Sequence, residues 1–172
     1  MGEAGQGLVV DHQPEWIDRF REERARLAEV FAGVPVTIEH VGSTAVLGLA
    51  AKPIVDICVG LESLEHAEAR VRALATLGYE YVPEYEAVVP DRRYFRRPVR
   101  RPRTHHVHCV VRGGEFWERH LRFRDHLRKD PATAAEYGAL KKKLAARFAH
   151  DRPAYTEGKT PFIERVLEEA GP

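Results

Sequence analysis

Residues 40–59 read His40-Val41-Gly42-Ser43-Thr44-Ala45-Val46-Leu47-Gly48-Leu49-Ala50-Ala51-Lys52-Pro53-Ile54-Val55-Asp56-Ile57-Cys58-Val59, and how this stretch divides decides the fold. Ile54, Val55, Ile57, Cys58 and Val59 form a nearly continuous apolar run of the kind that a sheet buries on both faces. Asp56 interrupts it. A carboxylate there must be paired, hydrogen-bonded or bound to a cation, because an unpaired buried charge costs several kcal/mol. Ahead of the strand, Gly42 permits backbone angles that other residues resist, and Ser43 and Thr44 add hydroxyls beside free N–H groups, so the turn has donors for an anion. Lys52 supplies a positive charge between turn and strand. The pattern outlines a phosphate and metal site; equally, it fits an ordinary strand-turn-strand whose Asp56 bonds to backbone or to an arginine.

The flanking sequence alternates short strands and helices. Residues 8–10 read as a short strand, and Trp16, Ile17, Phe20, Leu27, Val30 and Phe31 mark one face of a helix over 14–31. Strands are expected over 34–41 and 54–61. Ser63 then caps a helix whose Leu64, Ala67, Val71, Leu74 and Leu77 recur at helical steps as far as Gly78. Further strands are expected over 79–82, 92–99 and 104–111, the last closed by Gly113-Gly114. The C-terminal third is helical over 116–129 and 132–150, with Asp130-Pro131 as cap and restart; Thr160-Pro161 carries the start signal for a last helix. This order predicts a single α+β (α/β-like) domain over residues 1–172: a mixed sheet flanked by helices, with a helical C-terminal lobe.

Two further clusters carry chemistry. In Thr104-His105-His106-Val107-His108-Cys109, strand alternation puts His106 and His108 on one face and His105 on the other. Two imidazoles so spaced suit one metal ion, and Asp56 completes a three-ligand set if the strands are neighbours; hydrogen bonding to nearby polar groups is the plainer alternative. A mixed Asp/His set prefers Zn or Mn, whereas Mg favours oxygen. The second cluster is Arg92, Arg93, Arg96, Arg97, Arg100, Arg101 and Arg103, interleaved with Tyr94 and Phe95. Planar guanidinium forks beside aromatic surface suit a nucleotide or single-stranded nucleic acid. The alternative is a solvated strand whose arginines pair with acids of the Arg21-Glu22-Glu23 helix or with Glu84 and Glu86. Lys141-Lys142-Lys143 reads as a charged helix face.

At residues 40–57 the chain resembles the GrpB family, a branch of the nucleotidyltransferase superfamily. The match to its motif is unbroken except at Leu47, where the family usually has proline. Arg103-Thr104-His105-His106-Val107-His108 and Tyr155-Thr156 with Lys159, Phe162 and Ile163 extend the likeness over nearly the full length. The resemblance implies a nucleotidyltransferase-type fold in which a Gly-Ser turn binds triphosphate and paired carboxylates bind divalent cations for nucleotidyl transfer. Cys58 stands where the second carboxylate of an Asp-x-Asp pair would be. The resemblance also puts Lys159 on a lobe that closes over the site.

The expected site is therefore Asp56 and Lys52 as catalytic residues, Gly42, Ser43, Thr44, Lys52, Arg93 and Lys159 as nucleotide or phosphate contacts, and Asp56, His106 and His108 as ligands of a divalent metal (Mg, Mn or Zn). Two functions follow: metal-dependent transfer of a nucleotidyl group from a nucleoside triphosphate, or non-catalytic binding of a nucleotide or phosphorylated metabolite, which includes service as a scaffold for a partner enzyme. The missing second carboxylate favours the latter, since a two-metal clamp needs bridging acids, but nucleotidyl transfer is the first expectation and binding the alternative.

At 172 residues with 44% apolar content the chain suits one core, and its formal net charge of +1 conceals the local arginine excess. No stretch has the roughly 20 apolar residues that cross a bilayer, and the first residues lack a secretory pattern, so a cytoplasmic protein without a membrane partner is expected. Cys58 and Cys109 in apolar runs suit reduced core thiols. P-loop, dinucleotide-binding and serine-hydrolase motifs are absent.

Overall fold

The computed structural model describes residues 8–172. Helix α1 (Glu15–Val30) precedes β1 (Val36–Val41), the 3-10 turn Ser43–Ala45 and β2 (Val55–Leu61). Two short helices, α2 (Glu65–Glu68) and α3 (Val71–Thr76), lead to β3 (Glu80–Tyr81), β4 (Arg92–Arg97) and β5 (His105–Val111). Helices α4 (Glu115–Lys129), α5 (Pro131–Arg147) and α6 (Arg152–Ala170) complete the chain. The five strands form one mixed sheet in the order β1-β2-β5-β4-β3, in which only the β2–β5 pair is parallel. This is the expected α+β class with a helical C-terminal lobe.

Strand alternation gives the sheet two different faces. One carries Ile38, Ile57, Val59, Phe95 and Val107, which pack against Leu27 of α1, Phe31 just after it and Leu74 of α3. Each such side chain contributes about 1.5–3 kcal/mol by leaving water. The other face carries Asp56, Cys58, His106, His108 and Tyr94, as the registers Asp56↔His106 and Tyr94↔His108 require. Helix α4 covers its far end, where Trp117 lies flat on Gly60; a Cβ there would stand 2.6 Å from the indole. The Asp56 end is left open. In the C-terminal lobe, Val46 and Leu49 from the loop after the 3-10 turn pack with Leu127, Tyr137, Phe162 and Val166. That packing ties the turn to α4, α5 and α6.

Four local expectations are corrected. The helix expected from Ser63 to Gly78 is split in two: Ser63 Oγ accepts from Glu65 N at 3.3 Å as foreseen, but at the break Arg70 turns to donate to Val30 O and His66 O. Residues 8–10 form no strand; Val10 makes one isolated bridge to Ala51. The last helix starts nine residues before Pro161, with the Asp151 side chain accepting from Ala154 N, and Pro161 lies inside it. The true signal was Asp151-Arg152-Pro153, the same cap-then-proline pattern that starts α5. An interior proline costs about 3 kcal/mol, here set against burial of Tyr155, Phe162 and Val166. Finally, Lys141 is not on a charged surface: it is 2% exposed and donates to Ala50 O. Both cysteines are buried and free, as expected.

Candidate functional site

The antiparallel β1–β2 pairing sets Val41 opposite Asp56, so the chain leaving β1 at Gly42 turns directly over the carboxylate. Gly42 has φ +73° and ψ −175°, a region essentially closed to other residues. A Cβ would also stand 2.8 Å from Asp56 Oδ2. Glycine is thus needed for its backbone and for its missing side chain. Behind the turn, Thr44 Oγ1 donates to Ile54 O and meets His40 Nε2 at 2.9 Å, which pins the turn to the start of β2.

Asp56 is less enclosed than its strand suggested, with 30% of the side chain exposed at the open end of the sheet. Its Oδ1 receives His108 Nε2 at 3.1 Å and lies 3.3 Å from His106 Nδ1. Burial alone would raise this carboxyl, but the bonds from His106 and His108 outweigh it and hold Asp56 well below the usual carboxylate range. Arg92 donates to His108 Nδ1 at 3.3 Å. A guanidinium has only donors, so Nδ1 carries the lone pair and Nε2 carries the proton given to Asp56. Burial pushes the His108 pKa down, consistent with a neutral ring, against the raising influence of Asp56.

The structure therefore brings Asp56, His106 and His108 together, as the sequence led us to expect, but in a different relation. With its proton on Nε2, His108 has no lone pair to offer a cation beside Asp56; the other tautomer would set an N–H against Arg92. Among the described residues no group of three or more His, Cys, Asp or Glu side chains is arranged to hold a metal ion. The imidazoles instead fix the carboxylate by one oxygen and leave Oδ2 against the Gly42 turn.

Across the opening lies a cluster of amines. Lys52 Nζ sits 3.9 Å from the centre of the Tyr155 ring and Lys159 Nζ 4.7 Å from it, a shared ring made available because Tyr155 and Lys159 are one turn apart on α6. Lys141 Nζ lies 4.7 Å from the Tyr137 ring. Burial, then the charges of Lys159, Arg152 and Arg101, lower the Lys52 pKa to about 8. Burial and its neighbours Lys159 and Lys52 lower Lys141 to about 7. Lys159 is lowered chiefly by burial, with Asp56 acting the other way. Three ammonium groups so placed repel one another, and an anion is what relieves them.

The arginine strand supplies less than expected. Arg93 faces away from Asp56, in register with Cys109, and its guanidinium holds Glu68 and Glu86; it is not near the site. Arg97 pairs with the buried Glu23, as the acid-pairing alternative has it, and Arg96 pairs with Glu80, an acid that alternative did not name. Arg92, Tyr94 and Arg96 share the face of Asp56, and of the two arginines Arg92 is the one that bonds to His108, its guanidinium 4.9 Å from the Tyr94 ring and 5.5 Å from Phe116. Sequence reasoning put Lys141 on a charged helix face and did not distinguish Arg92 from the other arginines of its cluster. A lysine whose i+3, i−3 and i−4 neighbours are Leu144, Gly138 and Tyr137 was the available signal for the first.

The chain has relatives in sequence and in fold. A Bacillus subtilis protein, UPF0157 protein YqkA, is 38% identical over 94% of this chain, which spans 46% of that protein's length. The glutamate-rich protein GrpB of Alkalihalophilus pseudofirmus is 32% identical over 96% of both. A crystal structure of conserved protein GrpB from Enterococcus faecalis superposes with a TM-score of 0.85 at 38% identity, covering 95% of this chain and 96% of that one. The mixed sheet is consistent with a nucleotidyltransferase-superfamily placement. The model of the GrpB protein family matches residues 8–169, which include the turn, the Asp56–histidine group and all three lysines, and the chain belongs to that family.

Proposed function

We propose that the open end of the sheet binds the phosphates of a nucleoside triphosphate, with Lys52, Lys141 and Lys159 on one side and the backbone N–H groups of the Ser43 turn on the other. The convergence of three partly desolvated lysines beside a single nearby carboxylate carries this reading. A divalent cation of the magnesium type would be held by Asp56 together with phosphate oxygens, since magnesium is commonly bound by one or two carboxylates plus substrate phosphates. His106 and His108 then serve to orient Asp56. The cation's chemistry, when bound, is to neutralise phosphate charge. Transfer of the nucleotidyl group to an acceptor is the second reading, favoured by the fixed, ionised Asp56 at the turn; against it stands Cys58, fully buried beneath Trp117 where a second carboxylate would be needed.

Calorimetric titration of the wild type, Asp56→Asn and Lys159→Ala with ATP, GTP, CTP and UTP, with and without Mg, Mn or Zn, tests the proposal. Saturable binding weakened at least tenfold by Lys159→Ala is the expected result, with its metal dependence lost in Asp56→Asn. No binding of any nucleotide under any metal condition would overturn it. Mass spectrometry of the same mixtures separates transfer from binding alone.

A further inference from the structure

A second cavity lies on the opposite side of the Ser43 turn from Asp56. It is a cleft of about 660 Å³ between α1, the loop after the turn and the junction of α4 with α5. None of the side chains proposed to hold phosphate or cation lines it, and the Ser43 turn contributes only Ala45. Its apolar part comes from Ile17, Phe20, Val46, Leu127 and Ala134, and its charged part from Arg21, Arg24 and Arg128; no carboxylate is among its lining residues. Leu47, the position at which the chain departs from its family's proline, stands on the rim with 72% of its surface exposed. Arg24 makes no hydrogen bond or ion pair among the described residues, whereas Arg21 reaches only the exposed Asp18 at 3.6 Å. Arg128 spends two of its nitrogens on Ala45 O. His40, stacked on Phe20 with ring centres 4.6 Å apart, is kept neutral at ordinary pH by burial, which lowers its pKa to about 4.

From this combination we infer that the cleft is a binding site for a small amphipathic anion, one carboxylate or phosphate on an apolar body. The arginines take the head group and the pocket between Phe20 and Leu127 takes the body. The volume falls in the range of small-molecule sites, and an apolar lining with a few convergent polar groups is their usual form. The position matters because Arg128 and His40 also hold the back of the Ser43 turn, through Ala45 O and Thr44 Oγ1. An occupant of the cleft is therefore in contact with the supports of the candidate site without entering it.

Octanoate and octyl phosphate titrated calorimetrically into the full chain at neutral pH test the site, with octan-1-ol as the uncharged control. Saturable binding of at least one anion, and at least tenfold weaker binding of octanol, is expected. Arg24→Glu should weaken the anion at least tenfold, and Ala135→Trp, at an exposed lining position, should abolish binding by filling the space; thermal melts of both verify that they fold. Lys159→Ala should leave it within twofold, which separates this cleft from the lysine cluster. The preference between the two anions identifies the head group. The inference fails if neither anion binds, if octanol binds equally well, or if Ala135→Trp or Arg24→Glu binds like the wild type.

Discussion

Replacing Gly42 by alanine strikes a point where the turn backbone closes directly on the Asp56 carboxylate. The residue holds φ +73° and ψ −175°, and non-glycine residues held in such a region cost about 1–3 kcal/mol. The new methyl would lie 2.8 Å from Asp56 Oδ2 and 3.1 Å from Asp56 Cβ. The carboxylate must move, and with it goes the 3.1 Å bond to His108, a hydrogen bond to a charged group worth about 1.5–3 kcal/mol. Together the loss is about 2.5–6 kcal/mol. Urea unfolding followed by tryptophan fluorescence should show the midpoint falling by on the order of 2 M. The double variant Gly42→Ala, Asp56→Ala divides the two contributions, because the clash with Oδ2 is gone while the backbone strain remains. Its destabilisation should be less than additive. A single-variant loss under about 1 kcal/mol, or strict additivity, would refute the account of the turn pressed against Asp56.

Two further outcomes follow from the same interactions. Glu23 is 1% exposed and accepts from both terminal nitrogens of Arg97 and from the Tyr79 hydroxyl, each at 2.9 Å, so Glu23→Ala leaves the half-buried Arg97 guanidinium without its carboxylate and the Tyr79 hydroxyl without its acceptor, and should cost about 3–5 kcal/mol in denaturant unfolding; a loss under about 1 kcal/mol would contradict that role. The lysines predict a pH dependence: with folded pKa values lowered to about 8 for Lys52 and about 7 for Lys141, the folded state bears the full cost of charging them below those values, and sheds it as pH rises through them. Their contribution to the stability of the unliganded protein therefore increases from about pH 7 towards the ordinary lysine pKa, while triphosphate binding weakens over the same window. Calorimetry at pH 8 in buffers of different ionisation enthalpy should register proton uptake on binding, and its absence would show that these amines do not meet the phosphates.

Much of the fold was readable because its signals are local. The apolar run around Asp56, the alternation through His105 to Cys109 and the Asp130-Pro131 cap each depend on neighbours within a few residues, and each element formed close to where it was expected. Pro161 misled for the same reason: a proline after threonine is a start signal read locally, whereas Tyr155, Phe162 and Val166 pack as one face and carry the helix through it. The arginine strand also looks uniform in sequence. Side-chain alternation sends Arg92 to the Asp56 face and Arg93 to the opposite one, and distant acids then claim Arg93 and Arg97.

The chain's own order fixed that a glycine turn precedes a lone aspartate, that two histidines share a strand face, and that a helical lobe follows. Only the tertiary structure decided what these groups do to one another. The parallel pairing of β2 with β5 set His106 and His108 against Asp56, and Arg92, arriving from a third strand, sets the proton that His108 gives to Asp56. Packing of α5 and α6 against the loop brought Lys141 and Lys159 to Lys52. Such relations depend on distances between residues far apart in the chain, and no periodicity within a short window encodes them.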